Sequence, residues 1–208
     1  MMISPRFESL IFDFDGTLCD SEDLHKSCFV ESLKLHGYSW CLKKESIYQL
    51  SKNKKTIHKL ELMSEQELLD KKDLTSINSL KQELTINNVK IAKMDEDVFN
   101  FLLSLKNVKL AIASDANRNT ILSFLRHNQA FDMFKTVVTS EDVGFKTKPS
   151  SKIYELALDR LSLASDKVAV FEDTNEGVEA ATGAGIQFVY NCTYKTLHNT
   201  LQKIKGSL

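Results

Sequence analysis

Residues 12–18 read FDFDGTL, and the carboxylates two residues apart, Asp13 and Asp15, carry more chemistry than any other pair in the chain. They follow an apolar run, Leu10-Ile11-Phe12, that reads as a buried strand, and they precede Gly16, which permits a sharp bend. Residues i and i+2 of a strand point the same way, so Asp13 and Asp15 are expected to share a face, with Phe12 and Phe14 on the other. Two carboxylates held that close repel each other unless a cation sits between them or one keeps its proton. A strand that runs into a charged turn would also account for the pair, so the remaining strand ends decide.

The elements that would position these residues fall into two patterns. From about Ser21 to Asn107 the chain reads as successive helices: SEDLHKSCFVESLKLHG (21–37) opens on a capping residue and closes at Gly37, SEQELLDKKDLTSINSLKQEL (64–84) is rich in helix formers, and DEDVFNFLLSLKN (95–107) sets Val98, Phe101, Leu102 and Leu105 at helical spacing. From Val108 onward strand and helix alternate: VKLAIASD (108–115), RNTILSFLRHN (118–128), FKTVVTSED (134–142), SSKIYELALDRLS (150–162), KVAVFED (167–173), NEGVEAATGAG (175–185), IQFVYN (186–191) and KTLHNTLQKIK (195–205). Such alternation predicts an α/β fold, a Rossmann-like parallel sheet with helices on both faces. The first strand belongs to it by character, which makes residues 1–17 and 94–208 the α/β core and residues 18–93 an inserted all-helical domain.

Ligands of such sheets bind beyond the carboxyl ends of the strands. Strand one ends in Asp13-Phe14-Asp15-Gly16-Thr17, strand two in Ala113-Ser114-Asp115, and strand four in Glu172-Asp173, while Lys146 and Lys148 lie in the loop after strand three. Singly, each has a plain structural role: Ser114 could cap a helix, the lysines could be solvated, and Glu172 and Asp173 could complement a helix N-terminus. Together a hydroxyl, a lysine and several carboxylates on one edge fit phosphoryl transfer from a monoester. Magnesium takes oxygen ligands, which Asp13, Asp173 and the Asp15 region supply, and Ser114 with Lys148 could hold phosphoryl oxygens as charge moves onto them.

With DFDGT (13–17), Ser114 in AIASDAN, Lys148 in KTKPSSKIYELAL and VFEDTNEGVEAATGAGI (170–186) in that order, the chain resembles the haloacid dehalogenase-like superfamily, in the branch of phosphoglycolate phosphatase and β-phosphoglucomutase. The resemblance implies a magnesium-dependent phosphatase of a small phosphorylated metabolite. It casts Asp13 as the nucleophile that forms an aspartyl-phosphate and Asp15 as general acid, then base. It casts Ser114, Asp115, Lys148 and Gly16 as substrate-binding, with Lys148 ahead of Lys146 because it precedes Pro149. The Mg2+ ligands it implies are Asp13, Asp15 through its carbonyl, Asp173 and Glu172. It also implies that the insert is a cap that closes over the site and chooses the substrate. The presence of Asp15 argues against a dehalogenase or a phosphonate-cleaving enzyme, while a sugar-phosphate mutase and a non-catalytic phospho-ligand binder stay open.

Two departures bear on the cap. QLSKNKKTIHKLEL (49–62) has lysines, of which Lys52, Lys54 and Lys55 could meet an anion or form a solvated face, but it lacks the glycine of the mutase loop. IAKMDEDV (91–98) stands where a Pro-x-x-Gly is usual, and His25 reads as surface or packing.

Composition narrows the classes further. A net charge of -1 across 208 residues offers no field for nucleic acid or an anionic membrane. Cys19, Cys28, Cys41 and Cys192 show no CxxC spacing and read as reduced thiols. MMISPRFESLIFDFDG lacks the layout of a signal peptide, and no apolar run approaches the ~20 residues of a membrane span. The expectation is a cytoplasmic protein, monomer or dimer, with a small-molecule partner.

Overall fold

In chain order, β1 (Ser9–Phe12) leads to the helices α1 (Glu22–Leu35), α2 (Leu42–Leu50), α3 (Thr56–Glu65), α4 (Leu74–Asn87) and α5 (Glu96–Ser104). Then β2 (Lys109–Ser114), α6 (Arg118–His127), β3 (Phe134–Thr139), α7 (Lys152–Leu161), β4 (Val168–Glu172), α8 (Asn175–Gly183), β5 (Phe188–Asn191) and α9 (Tyr194–Ile204) alternate. The computed structural model describes residues 7–52 and 54–208; residues 1–6, part of the leader reading, and Asn53, inside the lysine-rich stretch, lie outside the described residues. The chain divides into two compact units, one running to Glu22 and again from Ala92 to Leu208, the other Asp23–Ile91.

The first unit holds the sheet, ordered β3-β2-β1-β4-β5 with every pairing parallel. Strand order turns outward in both directions from β1 and β4, which creates a switch point, and the carboxyl ends of all five strands share one edge. Both faces are buried, so the strands read as continuous apolar runs. On one face Phe12, Phe171 and Tyr190, in register on neighbouring strands, stack at 4.9 and 5.4 Å between ring centroids. On the other, Ile11, Ala111, Val168 and Val170 pack with Ile153, Tyr154 and Ala157 of α7 and Ala180 and Ala181 of α8.

The second unit has its own core, in which Phe29, Leu33, Tyr48, Leu60, Met63 and Ile77 bring α1 to α4 together. Lys59 of α3 is buried there; its Nζ donates to the carbonyls of Ser51 and Lys52, each at 2.7 Å, and stands 4.5 Å from the centroid of the Tyr48 ring. The ammonium thus closes the C-terminal end of α2, whose last carbonyls lack partners within the helix.

Two local expectations are corrected. Strand geometry stops at Phe12: Leu18 and Cys19 both donate their N–H to the Phe14 carbonyl, and Gly16 turns with φ +83°, so the two-residue spacing does not place Asp13 and Asp15 on one strand face. The helix read over 64–84 is broken; α3 ends at Glu65, Glu67 takes a left-handed φ of 58°, and α4 begins at Leu74. The break lets Leu69 turn into the core, a burial that outweighs the helix propensity of the intervening residues.

Candidate active site

The carboxyl edge of the sheet gathers Asp13 after β1, Ser114 at the end of β2, and Glu172 and Asp173 at the end of β4. Lys148 reaches them from the loop before α7. Its Nζ donates to Asp13 Oδ1 at 2.6 Å, to the Ala113 carbonyl at 2.9 Å and to Glu172 Oε1. Three acceptors match the three protons of an ammonium, and only 6% of the side chain is exposed. Burial alone would favour the neutral amine, but the negative charges around it, Asp13 foremost, hold its pKa well above the ordinary lysine value.

Asp13, Glu172 and Asp173 each place an oxygen within 4.8 Å of the others. Burial, then the neighbouring Asp13, pushes Glu172 up to about 7 against the pull of Lys148, and the same two causes push Asp173 up to about 6. Carboxylates that resist ionising together are a place where a cation is favoured. The backbone keeps room for them: a Cβ on Gly16 would run into the Asp173 carboxylate, and a Cβ on Gly177 would run into that of Glu172. This oxygen-only donor set fits a hard divalent cation.

Other chain features fix the edges of the site. Thr174 caps α8, its Oγ1 accepting from Gly177 N–H at 3.1 Å, and Asn117 caps α6, so neither Asp173 nor Ser114 serves as the helix cap. Ser114 is buried, and its Oγ accepts from the Ala116 N–H at 3.3 Å. Asp115 is exposed, and its Oδ2 accepts the backbone N–H of Lys148 at 3.0 Å, which ties the β2 loop to the lysine loop. Asp15 is half-buried in the turn after β1, and its carboxylate is outside the cluster of three. Lys146 is exposed. In the helical unit Lys52, Lys54 and Lys55 are exposed, whereas His25 Nδ1 lies 2.9 Å from Lys81 Nζ.

Sequence reasoning passed over Tyr154. It is fully buried on α7, and its hydroxyl donates to the same Glu172 Oε1 that Lys148 holds. The available signal was a hydroxyl among the inward positions Ile153, Ala157 and Leu161, since a buried tyrosine needs a partner for its O–H. Gly177 was legible only as a helix residue.

Comparison with known proteins identifies the family. The profile of the haloacid dehalogenase-like hydrolase family matches residues 10–190. A phosphorylated carbohydrates phosphatase of Thermotoga maritima is 30% identical over 192 residues, covering 90% of this chain and 86% of that protein. Among solved structures, CbbY of Rhodobacter sphaeroides in complex with phosphate superposes with a TM-score of 0.74 at 23% identity, over 90% of this chain and 88% of that one. The β-phosphoglucomutase of Clostridium difficile superposes with 0.69 at 15% identity, over 96% and 97%; both likenesses concern the fold. A match across most of the length, on a sheet of this topology, makes the chain a member of the haloacid dehalogenase-like hydrolase family.

Proposed function

We propose that this hydrolase is a magnesium-dependent phosphatase of small phosphorylated metabolites, with phosphorylated carbohydrates the first class to try. The observation that carries the reading is the Lys148 ammonium 2.6 Å from Asp13 Oδ1, beside a three-carboxylate cluster at the switch point of the sheet. A lone aspartate would repel a phosphate dianion, and here a buried cation and a cation-demanding cluster flank it. The phosphorylated carbohydrates phosphatase relative supports the substrate class.

In this reading the Asp13 carboxylate attacks phosphorus, the ester P–O bond breaks, and the leaving alkoxide takes the proton of the Asp15 carboxylic acid. Asp15, now a carboxylate, accepts a proton from the water that attacks the aspartyl-phosphate, which releases inorganic phosphate and restores Asp13. Lys148 and Ser114 orient the phosphoryl oxygens, and Gly16 and Asp115 border the phosphoryl group. Asp13, Asp173 and the Asp15 carbonyl would hold Mg2+, with Glu172 beside them, and the ion would supply charge neutralisation at the phosphoryl group. The core is taken as 1–17 with 94–208 and the substrate-selecting cap as 18–93. A cytoplasmic location goes with the reading, supported by the four cysteines being free; among the described residues no helix is long and apolar enough to cross a membrane.

The test is release of inorganic phosphate from a panel of phosphoglycolate, hexose phosphates, nucleotides and an aryl phosphate, with magnesium or with chelator, beside Asp13→Asn. Metal-dependent release lost in the folded variant is the expected result, and the ranking of esters names the substrate. No release from any ester by the folded, magnesium-supplied protein would overturn the reading in favour of a mutase or a binder.

A further inference from the structure

We propose that Tyr154 is a positioning residue for the phosphoryl-transfer site, acting through Glu172 on Lys148; the inference rests on the phosphatase reading above. Glu172 Oε1 accepts from two donors, the Tyr154 hydroxyl on α7 and the Lys148 ammonium. Among the described residues its Oε2 has only the Thr174 hydroxyl, at 3.4 Å, and it packs against the backbone of Gly177. With Oε2 so weakly held, the hydrogen bonds at Oε1 set the orientation of the carboxylate about its last torsion. Tyr154 supplies the fixed point: its ring is fully buried in the sheet core, and Lys148 Nζ lies 5.4 Å from the ring centroid.

The consequence reaches Asp13. Of the three acceptors around Lys148, the Ala113 carbonyl belongs to β2 and cannot move, and Asp13 must let go when a phosphoryl oxygen arrives. Glu172 is therefore the side-chain acceptor that stays on the ammonium, and its position decides where the ammonium points during turnover. Tyr154 has no place of its own at the reacting atoms. It shares its acceptor with the residue that does.

Tyr154→Phe keeps the ring and removes only the O–H. A hydrogen bond to a charged group is worth about ten- to hundredfold. With magnesium present, kcat is expected to fall about tenfold with KM little changed, and calorimetry should show weaker binding of inorganic phosphate. Added to Glu172→Met, which keeps the length of the side chain but offers no oxygen acceptor, Tyr154→Phe should cause no further loss of kcat, because the partner through which it acts is gone. An unchanged kcat and phosphate affinity in Tyr154→Phe, or full losses that multiply in the double variant, would overturn the inference and leave Tyr154 a core residue. Should Tyr154→Phe fail to fold, Tyr154→His, which retains a donor on a ring, must keep more activity than Tyr154→Leu of equal stability, and equal activity of the two overturns it. Failure of the phosphatase reading is distinct, since it would show as an inactive wild type on the ester panel.

Discussion

Replacing Gly177 with alanine sets two effects of opposite sign against each other. Gly177 sits in the first turn of α8 with an ordinary helical backbone, and alanine there reduces the freedom of the unfolded chain, a gain of at most about 1 kcal/mol. The new methyl group, however, would occupy the space of the Glu172 carboxylate, overlapping its carbon and both oxygens. A glutamate on the surface would swing aside at little cost. Glu172 is fully buried and held by Lys148 and Tyr154, so moving it separates a buried ion pair, which costs about 3–5 kcal/mol. The clash wins, and the variant should lose about 2–4 kcal/mol, a fall of about 5–15 °C in melting temperature at the usual 2–4 °C per kcal/mol for a domain of this size. A thermal melt beside a phosphate-release assay reads both consequences, the second being reduced turnover as Lys148 loses its partner. A variant that melts at or above wild type with full turnover would refute the claim that Glu172 is wedged in place.

Two further outcomes follow from the same geometry. Asp115→Ala frees the Lys148 backbone N–H and should lower kcat/KM about tenfold, whereas Asp115→Asn keeps an acceptor and should stay within about twofold of wild type; steady-state kinetics on the best ester separates the two. Lys59 tests linkage in the helical unit: burial, then the charges of Lys81 and Lys52, lower its pKa to about 8. An unfolded lysine titrates near 10.4, so between about pH 8 and 10 the unfolded chain holds the extra proton and stability should rise with pH. Chemical denaturation across that window should show a slope that Lys59→Met removes, and equal slopes would dismiss the lowered pKa.

The alternation of strand and helix after Val108 was legible because each apolar run is short and each helix has a polar stripe, and the strands lie where those runs lie. The convergence of Asp13, Ser114, Lys148, Glu172 and Asp173 was legible for a topological reason. In a parallel sheet every strand delivers its carboxyl end to one edge, so residues at strand ends meet whatever their sequence separation. What stayed hidden depends on side-chain direction and steric room. Tyr154 reads as one more inward position of an amphipathic helix, and nothing local says its hydroxyl meets Glu172. Asp115 reads as another acid near the phosphate position, yet its carboxylate serves the Lys148 backbone. Lys59 sits four residues past a run of exposed lysines of the same type, and only the fold distinguishes it by turning it onto the end of α2. The broken helix at 66–73 was hidden because propensity is local, while the burial of Leu69 that breaks it comes from the assembled core.

The charges at the sheet edge also fix an order of events. Among the described residues Asp13, Glu172 and Asp173 face a single ammonium, Lys148, so when all three are ionised two negative charges are left without a cation. A phosphate dianion entering beside them meets repulsion of about 4 kcal/mol for each close pair of charges at the effective dielectric of a partly buried site. Donors from Lys148 and the backbone offset part of this, but the ammonium already spends its three protons on protein acceptors. A divalent cation among the carboxylates would cancel the excess, so it and the phosphate should bind with positive coupling. Inorganic phosphate should bind at least about tenfold tighter with magnesium than in chelator, and by linkage phosphate should tighten magnesium by the same factor. Calorimetric titration in both orders measures the two factors. Phosphate affinity that is the same with and without magnesium would show that Lys148 alone neutralises the site, and the carboxylate cluster would then need another explanation.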